Sequence, residues 1–271
     1  MAMLSPAGAM MLKQSQMNWL SFIATVCPAQ PITKWGGSPS ECLKRNFEER
    51  LTELAMVGQR LGPFRFNRLD FFARRPDHDA TGATSGFYTN HVGYPQIDDP
   101  TIPAARAWNT KMVRPLDLGG DCDGPDNDSD DDYVLGYANR NLISVRIEHS
   151  FYCHGTPHGL FGFTAANILY SQDGRALTAS DVFGPGRGWV APLQRLLMTA
   201  IAEKGWRAPN EQAQEGVEEE VVSPDHWLFS KEGLQVAFGA YEGGCYACNP
   251  GEPTVNWSAL EPQLSPNAAV P

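Results

Sequence analysis

The segment Asn141 to Phe183 constrains the fold more than any other part of the chain, because a strand-length alternation runs into a loop that regular structure cannot absorb. From Leu142 to Phe151, the residues Ile143, Val145, Ile147, His149 and Phe151 alternate with Leu142, Ser144, Arg146, Glu148 and Ser150. A period of two puts each set on its own face, which predicts a strand with one buried face. Cys153-His154-Gly155-Thr156-Pro157-His158-Gly159 follows, where two glycines and a proline impose an irregular backbone. A second apolar segment then reaches Gln172-Asp173-Gly174, whose turn chemistry predicts a hairpin.

The chain begins differently. From about Met10 to Gly62 the pattern is helical. Ser38 is placed to cap a helix, Pro39 occupies its first position and Glu41 its third, the arrangement of a capping box. Leu43, Phe47, Leu51, Leu54 and Leu61 recur along one stripe that predicts a packed face, and Gly62-Pro63 ends it. The neighbouring segment Asn18 to Cys27 carries Trp19, Leu20, Ile23 and Val26. An antiparallel hairpin of the two helices would bring Cys27 and Cys42 together across the loop from Pro28 to Gly37, an easy geometry for a disulfide.

Further along, Phe64 to Ile97 mixes aromatic and polar residues, predicting strands joined by a long loop near Asp77 to Gly86. Ile102 to Val113 reads as a short helix burying Ala105, Trp108 and Met112. Ser180 to Trp206 holds a helix with Val190, Leu193, Leu197, Ala200 and Ile201 inward, and Glu211 to Glu220 is a solvated loop or helix surface. Trp227 to Ser230 and Leu234 to Phe238 form a hairpin about Lys231-Glu232-Gly233. The expected class is α+β: an N-terminal helical hairpin over 1–63, then a mostly antiparallel sheet flanked by helices over 64–271.

Several pieces of the chain resemble the extracytoplasmic domain of RsiV-type anti-sigma factors, a domain also seen in peptidoglycan deacetylase precursors and in many secreted proteins. They are YPQI at Tyr94 to Ile97, the NLISV strand, the HGTPHG loop, the DGRALTASDVF segment and the block LFSKEGLQVAFGAYEGG, in the family's order across roughly Phe87 to Leu264. The resemblance implies a domain that binds lysozyme directly and catalyses nothing. NWLSFIATVCP followed by ECLKRNFEERLTEL is similar to the end of the LprI-like domain, another secreted family linked to lysozyme inhibition. About fifty residues match, and the family's earlier helices have no counterpart here.

Charge and cysteine content bear on the compartment and the partner. With 31 acidic and 21 basic residues the formal charge is -10, which argues against nucleic-acid binding and suits a cationic partner. Six cysteines, Cys27, Cys42, Cys122, Cys153, Cys245 and Cys248, suit an oxidising compartment. The expectation is a periplasmic or secreted chain whose signal peptide is absent and which has no membrane span. Beyond Cys27 with Cys42, the expected pairs are Cys245 with Cys248 and, by elimination, Cys122 with Cys153, although these last two pairs are interchangeable on sequence.

Two segments carry the candidate site. Asp121 to Asp132 is dense in carboxylates but lacks the spacing of a calcium loop, so it reads as a mobile, solvated loop able to meet a cationic partner. His154 and His158 lie within ligand reach of Cys153 on sequence, and Cys245 and Cys248 form a CxxC, but no second metal half-site accompanies either, and no metal or other cofactor is expected. Gly243-Gly244 before Cys245 and Asn249-Pro250-Gly251 after Cys248 place the CxxC in a turn, which favours a structural bridge over a redox centre. GxSxG, HExxH and a phosphate loop are all lacking, so binding is expected rather than catalysis.

The expected interface is His154, Thr156, Pro157 and His158 with Asp126, Asp128 and Asp130, set against a lysozyme-type peptidoglycan hydrolase. The resulting expectation is a lysozyme inhibitor or an immunity protein against a muramidase toxin. The competing expectation is a peptidoglycan-binding module displaying Trp35, Trp189, Trp206 or Trp257 to solvent.

Overall fold

The computed structural model describes residues 4–29, 38–77, 86–99, 101–113, 127–170 and 174–270. Its first half contains helices α1 (Pro6–Val26) and α2 (Pro39–Ala55), strands β1 (Arg60–Leu61), β2 (Phe64–Pro76) and β3 (Phe87–Ile97), helix α3 (Pro103–Met112) and strand β4 (Asn127–Ala138). Strands β5 (Leu142–Cys153), β6 (Leu160–Leu169) and β7 (Arg175–Ala176) and helices α4 (Ala179–Phe183), α5 (Val190–Glu203) and α6 (Glu211–Glu220) follow. The chain closes with β8 (Trp227–Phe229), β9 (Gly233–Val236), β10 (Thr254–Asn256) and α7 (Trp257–Leu260). Strands β1 to β7 hydrogen-bond in sequence order in one sheet, and β8 to β10 form a second, ordered β10-β9-β8. The expected α+β class holds. The pairing is mostly antiparallel, and β3 runs parallel to β4.

The chain packs as two compact units, the first comprising Met1–Arg60, Phe64–Asp132 and Ser150–Gly159. Within it α1 starts on Ser5, whose hydroxyl accepts the Gly8 N–H and donates to Asp98. Gly8, Ser15, Trp19, Ile23 and Val26 are buried on α1, a face at helical spacing that packs on β2. Helix α2 begins on the expected capping box of Ser38 and Glu41 with Pro39 in the first turn. The Cys27–Cys42 disulfide ties it to the end of α1, with Cα atoms 5.5 Å apart. Helix α3 buries Ala105, Trp108 and Met112 as its spacing predicts, and its Asn109 side chain pairs with both the N–H and the C=O of Ile97.

The apolar stripe on α2 is a correction. Leu43, Phe47 and Leu51 are exposed, and the face turned inward carries Cys42 and Arg50. A hydrophobic stripe predicts burial only when nothing stronger orients the helix. Here the disulfide and the ion pair from Arg50 to Asp70 of β2, at 2.9 Å, fix its rotation. Phe47 keeps an edge-on contact with Trp19, their ring centroids 4.9 Å apart.

The second unit comprises Leu61–Pro63, Tyr133–His149 and Leu160–Pro271. Its core joins Leu142 of β5, Leu169 of β6, the α5 face Leu193, Leu197 and Ile201, Val217 of α6, and Trp227, Phe229, Leu234 and Val236 of the small sheet. β6 and β7 form the hairpin expected about Gly174, which has φ +68°, while Gln172 and Asp173 lie outside the described residues. The hairpin of β8 and β9 also forms, with Trp227 opposite Val236 and Phe229 opposite Leu234.

Strand β5 departs from its expected single buried face, since Leu142 to Ile147 are buried without interruption. The face assigned to solvent is covered within the same unit. Ser144 accepts the Phe229 N–H at 2.9 Å, and Arg146 lies over the Phe163 ring and pairs with Glu148 and Glu252. Gly136 permits this covering, because a Cβ there would stand 2.3 Å from the Phe229 carbonyl oxygen. Alternation of polar and apolar residues marks a strand, but polar residues on the second face can be buried when they find partners.

Candidate functional site

Residues 127–132, expected in a mobile acidic loop, belong to β4, so this half of the reading is corrected. Parallel pairing with β3 sets His91 opposite Asp130 and Asn90 opposite Ser129. Asp128 spends one carboxylate oxygen on the backbone N–H of Thr89 at 2.6 Å and on its hydroxyl at 2.8 Å. A carboxylate that satisfies neighbouring donors stabilises an acidic strand that composition alone would leave unfolded. Asp126 lies outside the described residues.

The structure brings the other predicted segment to the same place. His154, just beyond the end of β5, has Nδ1 2.9 Å from Asp77 and Nε2 2.9 Å from Asp128. A neutral imidazole has one N–H, so two carboxylate acceptors on its two nitrogens require the imidazolium form. Burial disfavours this cation, but the hydrogen bonds and charges of Asp77 and Asp128 outweigh burial and raise its pKa. The Tyr88 ring packs against the imidazole at 4.2 Å between centroids, and its hydroxyl donates to Asp77 at 3.0 Å. Beyond His154 the loop is held by its own polar groups: the Thr156 hydroxyl donates to the carbonyl of Cys153 at 2.7 Å, and Tyr152 donates to the carbonyl of Thr156 at 3.1 Å. Thr156, Pro157 and His158 remain exposed at its tip.

A second imidazole repeats the pattern. His91 of β3 has Nδ1 2.7 Å from Asp130 and Nε2 3.1 Å from Asp70, and it stacks on Phe72 with ring centroids 4.5 Å apart. Burial pulls its pKa down, yet the hydrogen bonds to Asp130 and Asp70 prevail and lift it to about 9. Burial would raise the Asp70 carboxyl, but the His91 hydrogen bond and the charges of Arg68 and Arg50 reverse the effect and hold it well below the usual carboxylate range. The same opposition of burial and His91 leaves Asp130 lowered.

Asp70 is the hub of this network. It accepts the Ser15 hydroxyl at 2.7 Å as well as Arg50, Arg68 and His91. Arg50 also reaches Gln16 and Glu53, and Arg68 also reaches Asp132. Space for the Arg68 guanidinium depends on Gly93, where a Cβ would stand 2.3 Å from it. Glu53, Asp70 and His91 bring ligand atoms within 4.8 Å of one another, but the two guanidinium groups already answer these carboxylates, so the donor set does not fit a divalent cation. Nothing in the sequence announced the network, since Arg50 reads as the solvent side of an amphipathic helix and Asp70 and His91 as polar positions in strands.

The remaining predicted residues separate. Cys245 and Cys248 are disulfide-bonded with Cα atoms 4.9 Å apart, in a turn as expected, and Cys153 is also disulfide-bonded. These sulfurs therefore offer no thiolate to a metal. Cys122 lies outside the described residues. Trp189, Trp206 and Trp257 are half-buried against the second unit's core, their indole N–H groups donating to the carbonyls of Gly186, Cys248 and Ser230, so they do not present a row of open rings. Trp35 lies outside the described residues. A separate cleft of 460 Å³ runs along α6, lined by Gln212, Glu215, Glu219, Tyr241 and Glu242 among others. Tyr241 there holds a left-handed φ of 68°, and the Glu242 carboxylate accepts the Gly239 N–H at 2.6 Å.

An α+β protein with an acidic, imidazolium-clamped strand face is the class that this geometry defines. No protein-family model matches the sequence, and no curated protein does. Among solved structures the fold is similar to a member of the DUF3298 family from Bacteroides fragilis, at a TM-score of 0.54 and 17% identity over 77% of this chain and 96% of that one. A DUF3298 family protein from Pseudomonas aeruginosa matches with a TM-score of 0.51 and 17% identity, over 77% of this chain and 98% of the other.

Proposed function

We propose that the chain is an exported binding protein that captures, and thereby inhibits, a lysozyme-type peptidoglycan hydrolase. The observation that carries this reading is the bond from His154 to Asp128, which joins the HGTPHG loop to the acidic strand in one surface. That surface combines a rigid base with an irregular, exposed tip of Thr156, Pro157 and His158, the form suited to entering a cleft without a large ordering cost.

Charge supports the same partner. In this unit six carboxylates, those of Glu53, Asp70, Asp77, Asp128, Asp130 and Asp132, meet two guanidinium and two imidazolium groups, so the network stays net negative and favours a cationic enzyme. The bridges at Cys27–Cys42 and Cys245–Cys248 suit an oxidising compartment. Among the described residues no helix is long and apolar enough to cross a membrane. DUF3298 proteins, whose fold this chain shares, are related to the RsiV-type domains that the sequence resembles. Both imidazoles are held as cations with both N–H groups engaged, leaving no free lone pair for a general base, which favours binding over catalysis.

Titration calorimetry with a cationic lysozyme tests the reading. Charge insertion at the tip, Pro157→Lys with His158→Lys, should weaken binding by tenfold or more, about 1.4 kcal/mol. Equal affinity of the variant and the parent chain would place the interface elsewhere.

A further inference from the structure

We propose that His154 is a proton-operated latch which, as the imidazolium, bolts the His154–Gly159 loop to the sheet and, once neutral, releases it. The proposal deepens the binding reading by naming a control on its loop, though the latch itself needs no partner. Its basis is the double anchorage, with Nδ1 on Asp77 and Nε2 on Asp128, each at 2.9 Å. The charged and titratable groups facing the ring are Asp77 after β2, Asp128 on β4, Tyr88 on β3 and Tyr152 on β5, and among these named groups no cation opposes the imidazolium.

What moves on deprotonation follows from the other donors. Asp77 keeps the Tyr88 hydroxyl, and Asp128 keeps the N–H and hydroxyl of Thr89, so both carboxylates stay satisfied in place. The neutral ring retains one N–H and turns a lone pair towards the second carboxylate, an unfavourable contact at that distance. Relief comes from the imidazole leaving, and the turn that it pins, in which the Thr156 N–H bonds back to the Cys153 carbonyl, opens with it. His91 differs in consequence, because its ring lies within the paired strands, stacked on Phe72 and opposite Asp130, and carries no loop.

The wild-type chain without partner decides the matter. Imidazole NMR is followed together with hydrogen exchange at the Thr156 amide, corrected for intrinsic base catalysis, from about pH 6 to about pH 10. Both ring N–H groups of His154 should persist above its ordinary value of about 6.5, and Thr156 protection should fall as the proton leaves. In His154→Gln the protection should be low and independent of pH. Titration of His154 at or below its ordinary value, or Thr156 protection unchanged through the titration, would overturn the latch. The wild-type measurement stands alone even where the variant does not fold. Lysozyme unbound at every pH while the latch titrates as stated would contradict the binding reading and uphold the latch.

Discussion

Asp70 gathers two guanidinium groups, an imidazolium and a hydroxyl while buried. Removing one member of such a group strands the others. Asp70→Asn should therefore cost about 3–5 kcal/mol of stability by urea denaturation, whereas replacing an exposed carboxylate such as Glu48 should stay within about 0.5 kcal/mol. His91 sets the alkaline side of this stability. Its folded pKa of about 9 exceeds the unfolded value, so its contribution is complete below about pH 6.5 and lost as pH rises through about 9. Asp70 acts in the opposite sense: its lowered pKa contributes above the ordinary carboxylate range and is lost on acidification. The urea midpoint measured across this span should fall between about pH 6.5 and pH 9, and His91→Gln should lessen that slope, with His154 supplying part of the remainder. A midpoint flat across that window would rule out the clamped imidazolium. At this scale the sequence is least legible, because Arg50, Asp70 and His91 are distant in the chain and each is ordinary for its element until β2 and β3 pair.

Elements were legible where capping or turn chemistry is local. The Ser38, Pro39 and Glu41 start of α2, the inward trio of α3 and the hairpin about Gly174 follow from a few adjacent residues and form as expected. Orientation about an element's axis was not, because it is set by partners elsewhere. On α2 the disulfide and Arg50 outweigh the apolar stripe, so Leu43→Gln, Phe47→Gln and Leu51→Gln should each change stability little, with Phe47→Gln the largest through its contact with Trp19. The Cys27–Cys42 bridge closes a sequence separation of 15, so Cys27→Ala with Cys42→Ala should lower stability by about 3 kcal/mol. Loss of only a few tenths would mean that Arg50 alone orients α2. The β4 strand was missed for a related reason: its aspartates look solvated in sequence, and their partners, among them His91, His154, Thr89 and Arg68, lie on other elements.

For the whole molecule, the α+β class was readable from local periods such as those of α3, α5 and the β8–β9 hairpin, but the element order only in part, since the start of β4 reads as a loop in sequence and Leu61, part of the helical stripe, lies in β1. The candidate site was half readable. HGTPHG and the acidic run were both singled out, but their union through His154 depends on strand pairing over dozens of residues. Whether this union serves capture of a peptidoglycan hydrolase is measured directly by muropeptide release from purified peptidoglycan by a cationic lysozyme as this protein is titrated in. Release should be suppressed at a near-equal molar ratio, and the protein alone should release nothing. Undiminished lysozyme activity in large molar excess of the protein, or muropeptides released by the protein itself, would contradict the capture reading.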